Sequence, residues 1–143
     1  MENQPTPLNK RFNLDPLPAL HSAIIVALLT PVLLFVHGYD GPGSDFMHMN
    51  GWTLFMPMWW YFLLNLVWRK GSTPYYMAIV IALCLVVETL QSINAPWIEE
   101  LRPTLFGRLF LSRGFDSWDF VIYLVGLDLA LIVHLWLGRR IKN

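Results

Sequence analysis

Glu88 and Gln91 lie three residues apart in "IALCLVVETLQSI", a run that is otherwise almost wholly apolar. That spacing puts both side chains on one face of a helix. A carboxylate beside a carboxamide accepts and donates hydrogen bonds, so the pair has the chemistry to seat a polar ligand, or to serve as a general base on one. A carboxylate at membrane depth is expensive, at roughly 2.5–3.5 kcal/mol on insertion scales for charged residues. Something must offset that cost. Asp45 and His48 repeat the i, i+3 relation, and Asp119, Tyr123 and Gly126 form an i, i+4, i+7 stripe. Just upstream of the stripe, Arg113 has the charge to hold an anionic headgroup, and Arg113 and Asp116 have the charges to close ion pairs.

The elements that must position these residues are apolar and long. Of 143 residues, 55% are hydrophobic and 14% charged, a balance far from that of a soluble domain and typical of a membrane protein. Four segments approach the roughly 20 residues that cross a bilayer: 20–37, 46–68, 75–93 and 118–138. None alternates with period two, so each reads as a helix, kinked at Pro31 in the first and Pro57 in the second. The expected fold is an all-α membrane protein, a four-transmembrane-helix bundle over 20–138. A tail precedes it at 1–19, and a basic tail follows at 139–143. The first segment reads as uncleaved.

Lys10, Arg11, Arg69, Lys70, Arg139, Arg140 and Lys142 fall on one side of such a bundle, which places both termini in the cytoplasm. The opposite face carries Asp40, Asp45, Glu99, Glu100, Asp116 and Asp119, with Arg102, Arg108 and Arg113. Glu88 then lies a turn or two inside that outer boundary. Asp45 with His48, Glu88 with Gln91, and Asp119 with Tyr123 are expected at one depth, facing a shared polar site. The connector "WIEELRPTLFGRLFL" mixes bulky apolar residues with arginines, a composition for lying in the interface. Pro103 and Gly107 break it into short interfacial helices between the third and fourth spans.

These residues also resemble a family. The pattern E-x-x-Q late in one helix, then R-x-F with an acidic residue, then a helix opening D-x-x-x-Y-x-x-G, is similar to that of VanZ-like membrane proteins. It is most similar to their relatives known as a domain of unknown function. Glu88, Gln91, Arg113, Phe115, Asp116, Asp119, Tyr123 and Gly126 stand at the matching positions. Asp45 and His48 echo an upstream D-K-x-x-H element, with Phe46 where that element has lysine. The resemblance implies a multi-pass protein of the bacterial inner (cytoplasmic) membrane. It also implies an outer-leaflet polar cluster that binds an envelope lipid or cell-wall precursor, or stabilises the envelope.

Two readings of the cluster stand side by side: a binding pocket, and ties that fasten the connector to the helix ends, with Asp116, Ser117 and Asp119 at the start of the fourth helix. A metal site from His48, Glu88 and Asp119 is open by ligand type, but it has a single histidine and no recognised spacing. No Gly-rich phosphate loop or nucleophile elbow is present, so a conventional enzyme is disfavoured. Zero net charge gives no footprint for nucleic acid, and the single cysteine, Cys84, excludes an intrachain disulfide.

Asp128 and His134 belong elsewhere. Asp128 follows Asp119 by about 900 degrees of helix, so it points away from that stripe near mid-bilayer. It must meet a polar group of its own chain (Ser22, Thr30, Asn50 or Thr53, with Thr30 and Thr53 best placed), meet one of another membrane subunit, or stay protonated. Ala130 and His134 form an A-x-x-x-H arrangement like that which ligates bacteriochlorophyll in single-helix light-harvesting polypeptides. That reading makes His134 a pigment ligand; the alternative is an interfacial hydrogen-bonding histidine near Arg139. The expected partners are membrane lipids and, in the second functional reading, a larger respiratory or photosynthetic assembly of which this chain is a non-catalytic accessory subunit.

Overall fold

A computed structural model describes residues 15–111 and 116–142. Among these the chain is helical, and no strand occurs. Helix α1 runs Ala19–Gly38; α2, Ser44–Phe46, passes through a π turn, Met47–Gly51, into α3, Trp52–Val67; α4 spans Thr73–Ser92. Two short helices, α5 (Pro96–Leu101) and α6 (Leu105–Phe110), precede the long α7, Trp118–Lys142. Arg113, Phe115 and residues 1–14, with Lys10 and Arg11, lie outside the described residues.

Three helices are long and apolar enough to cross a membrane: Ala19–Gly38, Thr73–Ser92 and Trp118–Ile141. The second expected span differs. Its backbone is helical from Ser44 to Val67, but the π turn interrupts the regular hydrogen-bond pattern and leaves 16 regular residues in α3. At about 1.5 Å per residue that stretch is shorter than a bilayer core. The boundaries elsewhere fall within two residues of the expected ones, except that α7 continues through Arg139 and Arg140, the basic tail forming its last turn.

Helix α3 is the centre of the bundle. It packs extensively on α1 and α7 and less on α4, while α4 meets α7 only lightly. Close approach to α7 depends on Gly126: a β-carbon there would collide with the Leu54 carbonyl oxygen and lie 2.8 Å from Pro57 Cγ. Pro57, which donates no backbone bond to Thr53, fills this contact within α3. Tyr61, Phe62, Tyr76, Val80, Leu127 and Ala130 form the buried centre. The outward faces are apolar too, with Leu20 and Leu28 on α1 and Leu124 and Ile132 on α7 well exposed. Such surfaces suit contact with hydrocarbon or with another apolar protein face.

At the end of the bundle near the termini several polar groups are joined internally, while Asn65 Nδ2, Ser22 Oγ and His21 Nδ1 are buried without a hydrogen-bond partner among the described residues. Asn65 Oδ1 accepts from the Leu17 backbone N–H at 2.9 Å, and Arg69 donates to the Leu17 carbonyl at 2.7 Å. Fully buried His134 places Nδ1 2.9 Å from the Tyr61 hydroxyl and Nε2 3.0 Å from the Asp15 carbonyl. The carbonyl must receive the Nε2 proton, so Nδ1 accepts from Tyr61. The opposite end is covered by α5 and α6. Pro96 opens the first, and the Thr104 side chain caps the second by accepting from Gly107 N–H at 3.1 Å. Gly107 is required here, because a β-carbon would run into the backbone of Leu101 and Arg102.

Candidate functional site

The covered end holds the second polar cluster. Glu88, on the last turns of α4, is 1% exposed. Tyr123, one turn into α7, donates its hydroxyl proton to Glu88 Oε1 at 2.7 Å. Glu88 Oε2 is buried and has no hydrogen-bond partner among the described residues. One turn further along the same face, Gln91 donates through Nε2 to the Phe110 carbonyl at 2.8 Å, tying α4 to α6. Gln91 Oε1 is likewise buried and unpartnered. A carbonyl must face the amide nitrogen, so this orientation of the carboxamide follows from its bond.

Asp119 is also buried, on the first turn of α7. Its Oδ1 lies 3.3 Å from Thr53 Oγ1, which in turn lies 2.6 Å from the Met49 carbonyl inside the π turn. One hydroxyl proton is shared between those two acceptors. Asp119 and Asp116 both lie within electrostatic reach of Glu88. Asp116 accepts from the Trp118 backbone N–H at 3.0 Å and so caps α7.

The expected cluster is thus brought together in part. Glu88, Gln91, Asp116, Asp119 and Tyr123 share one end of the bundle, whereas Asp45 and His48 do not join them. Asp45 is exposed, and His48 Nε2 is 2.6 Å from the Tyr39 carbonyl, fastening the turn after α1. The i, i+3 spacing fixes that these two share a face, but not the direction in which the face is turned. Arg113 falls outside the described residues. Thr53, considered from sequence only as a partner for Asp128, is instead the α3 member of this site.

Two apolar grooves flank the polar groups. One, of about 130 Å³, lies between α1 and α3 and is lined by Thr30, Trp52, Met56, Trp59, Trp60 and Phe110. Phe110 links it to the site: its carbonyl holds Gln91 while its ring meets Trp52 at 6.1 Å and Trp60 at 6.4 Å. The other, of about 200 Å³, separates α4 from α7 and is lined by residues including Cys84, Leu85, Tyr123 and Leu124. Tyr123 therefore presents its ring to a groove and its hydroxyl to Glu88.

Asp128 and His134 lie apart from this site. Asp128 is exposed on α7, and neither favoured partner reaches it. Thr30 Oγ1 donates to the Val26 carbonyl and accepts from Trp59 Nε1, and Thr53 is held by Met49 and Asp119. His134 has both ring nitrogens engaged inside the fold, so no lone pair is directed at a pigment. Ala130, 0% exposed on the same face, gives the packing reason for the spacing. No group of three or more His, Cys, Asp or Glu is placed to hold a metal ion among the described residues.

Residues 44–127 match the model of a family described as "Protein of unknown function (DUF2809)". The match covers more than half of the chain and includes Thr53, Glu88, Gln91, Phe110, Asp119, Tyr123 and Gly126. No solved structure matches.

Proposed function

The chain belongs to the DUF2809 family, whose function is unknown, and from that premise we propose that it binds an envelope lipid or cell-wall precursor at the site around Glu88. In this reading it is a VanZ-like protein of the bacterial cytoplasmic membrane. The segments 20–37, 46–68, 75–93 and 118–138 are four spans, both termini are cytoplasmic, and α5 and α6 lie at the outer interface. The motif from Glu88 to Gly126 and the distribution of basic residues support it.

One observation carries the proposal: among the described residues two buried acceptors adjacent on one face of α4, Glu88 Oε2 and Gln91 Oε1, have no partner. Leaving a polar group buried and unpaired costs about 1–3 kcal/mol. Ties between helices account for the bonds to Tyr123 and Phe110, but not for these two atoms. A polar group of a ligand accounts for both. In this reading Glu88 serves the ligand as a hydrogen-bond acceptor.

The test is purification in mild detergent followed by mass spectrometry of the lipids retained by wild type and Glu88→Leu. The wild type should keep an envelope lipid that the variant loses, and a wild-type protein free of lipid would refute the proposal. Topology is tested separately in a Cys84→Ala background. Thr104→Cys should react with an impermeant thiol reagent in intact cells and Lys70→Cys should not; the reverse labelling overturns the orientation.

Asp128 favours a second reading, an accessory subunit of a larger membrane assembly. An exposed carboxylate about 18 Å along the helix from Arg140 sits near mid-membrane. A donor on a neighbouring chain would offset its cost. Loss of copurifying subunits with Asp128→Leu but not Asp128→Asn supports this reading, and unchanged copurification with both removes it.

A further inference from the structure

The two unpartnered atoms of the site are of one kind. Gln91 Oε1 is an acceptor because its amide nitrogen is committed to the Phe110 carbonyl. Glu88 Oε2 belongs to a carboxyl group whose other oxygen already accepts from Tyr123, and in the ionised form it too is an acceptor. Both side chains are more than nine-tenths buried, at 1% and 8% exposure, and they lie one turn apart on the same face of α4. Asp116 and Asp119 add negative charge within electrostatic reach. A phosphate oxygen brought against this pair would meet acceptors and like charge. An N–H or O–H group would meet complementary atoms on both sides.

The neighbouring groove extends the argument. Helices α4 and α7 meet only lightly, and the space between them is lined by Ile81, Leu85, Phe120, Tyr123, Leu124 and Leu127. Tyr123 forms part of that lining and bonds to Glu88 through its hydroxyl, so one side chain stands between the groove and the acceptor pair. On a membrane-facing surface, the molecule that spans a polar tip and an apolar groove is a lipid.

Resting on the lipid-binding reading above, we infer that the site recognises its lipid by hydrogen-bond donors of the headgroup, an ammonium or polyol hydroxyls, rather than by phosphate. One hydrocarbon chain lies in the α4–α7 groove. Glu88 and Gln91 select the headgroup, and Tyr123 orients the Glu88 carboxylate.

The test offers purified protein an equimolar mixture of phosphatidylethanolamine, phosphatidylglycerol and phosphatidylcholine in mixed micelles, and counts retained lipid by native mass spectrometry. The three share the phosphate. Ethanolamine supplies N–H donors, glycerol supplies O–H donors, and choline supplies neither. The wild type should retain one of the first two over phosphatidylcholine by about fivefold, the ratio expected from the net of one hydrogen bond. Whichever is favoured identifies the donor as ammonium or hydroxyl. Gln91→Met, shown to be folded by circular dichroism, should lose the preference, and Leu124→Trp should lower retention of all three. Equal retention of phosphatidylcholine would overturn the headgroup inference while leaving lipid binding intact. Unchanged retention in Leu124→Trp would overturn the chain's seat. Retention of no lipid at all would refute the lipid-binding reading itself.

Discussion

Replacing Tyr123 by Phe removes one oxygen and leaves the ring in the groove. Glu88 Oε1 then loses its donor at 2.7 Å, and since Oε2 already has none, the whole carboxylate is stranded at 1% exposure. A hydrogen bond to a charged group contributes about 1.5–3 kcal/mol, so Tyr123→Phe should lower the unfolding free energy by about 2 kcal/mol. Glu88→Leu alone strands the phenolic hydroxyl, at about 1–3 kcal/mol. The double variant removes both partners and leaves apolar groups of similar shape, so its loss should be much smaller than the sum of the two. The coupling energy should be about 1.5–3 kcal/mol. The assay is equilibrium unfolding in mixed micelles by rising dodecyl sulfate, followed by far-ultraviolet circular dichroism at fixed lipid content, because a bound lipid raises apparent stability. Strictly additive variants, within about 0.5 kcal/mol, would refute the pairing.

The same unfolding assay reads three further variants. Gly126→Ala gains about 1 kcal/mol of helix propensity but forces a methyl against Leu54 and Pro57, so a net loss of about 1–2 kcal/mol is expected. Thr53→Val should cost about 1 kcal/mol or less and leave the Glu88–Tyr123 coupling unchanged, because its bond to Asp119 is long and Asp119 has a further contact. His134→Ala removes a buried ring bonded at both nitrogens and should cost about 2–4 kcal/mol. Limited proteolysis should then cut near Asp15 faster than in the wild type.

Hydropathy made the long helices legible because a bilayer demands length and apolarity before anything else. It could not reveal the π turn at Met47–Gly51, which sits where Thr53 bonds back to Met49 and forward to Asp119, a contact 66 residues distant. Helical spacing brought Glu88, Gln91, Asp119 and Tyr123 to one end, since rotation about a helix is arithmetic. It did not show that His48 would bond to the Tyr39 carbonyl and not to that cluster, because the turn after α1 sets its direction. The Phe110 carbonyl carried no signal at all, being backbone. For Asp128 the arithmetic gave the right face, away from Asp119, but the threonines assigned to it are satisfied elsewhere. At His134 a five-residue pattern suggested a cofactor, whereas Ala130 and His134 are neighbours in packing.

The contact between His134 and the Asp15 carbonyl joins positions 119 residues apart. A membrane chain is threaded from its first span to its last, so Asp15 and Leu17 reach the bilayer surface long before His134 has been synthesised. Asn65 and Arg69 are able to grip Leu17 once α3 is inserted, but the last latch closes only when α7 arrives. Until then Tyr61 lacks its imidazole partner and the leading segment stays loosely held. A chain stalled before α7 therefore leaves this stretch of backbone unlatched. The finished one hides it, so this seam reports, from the start of the bundle, that its end has been built.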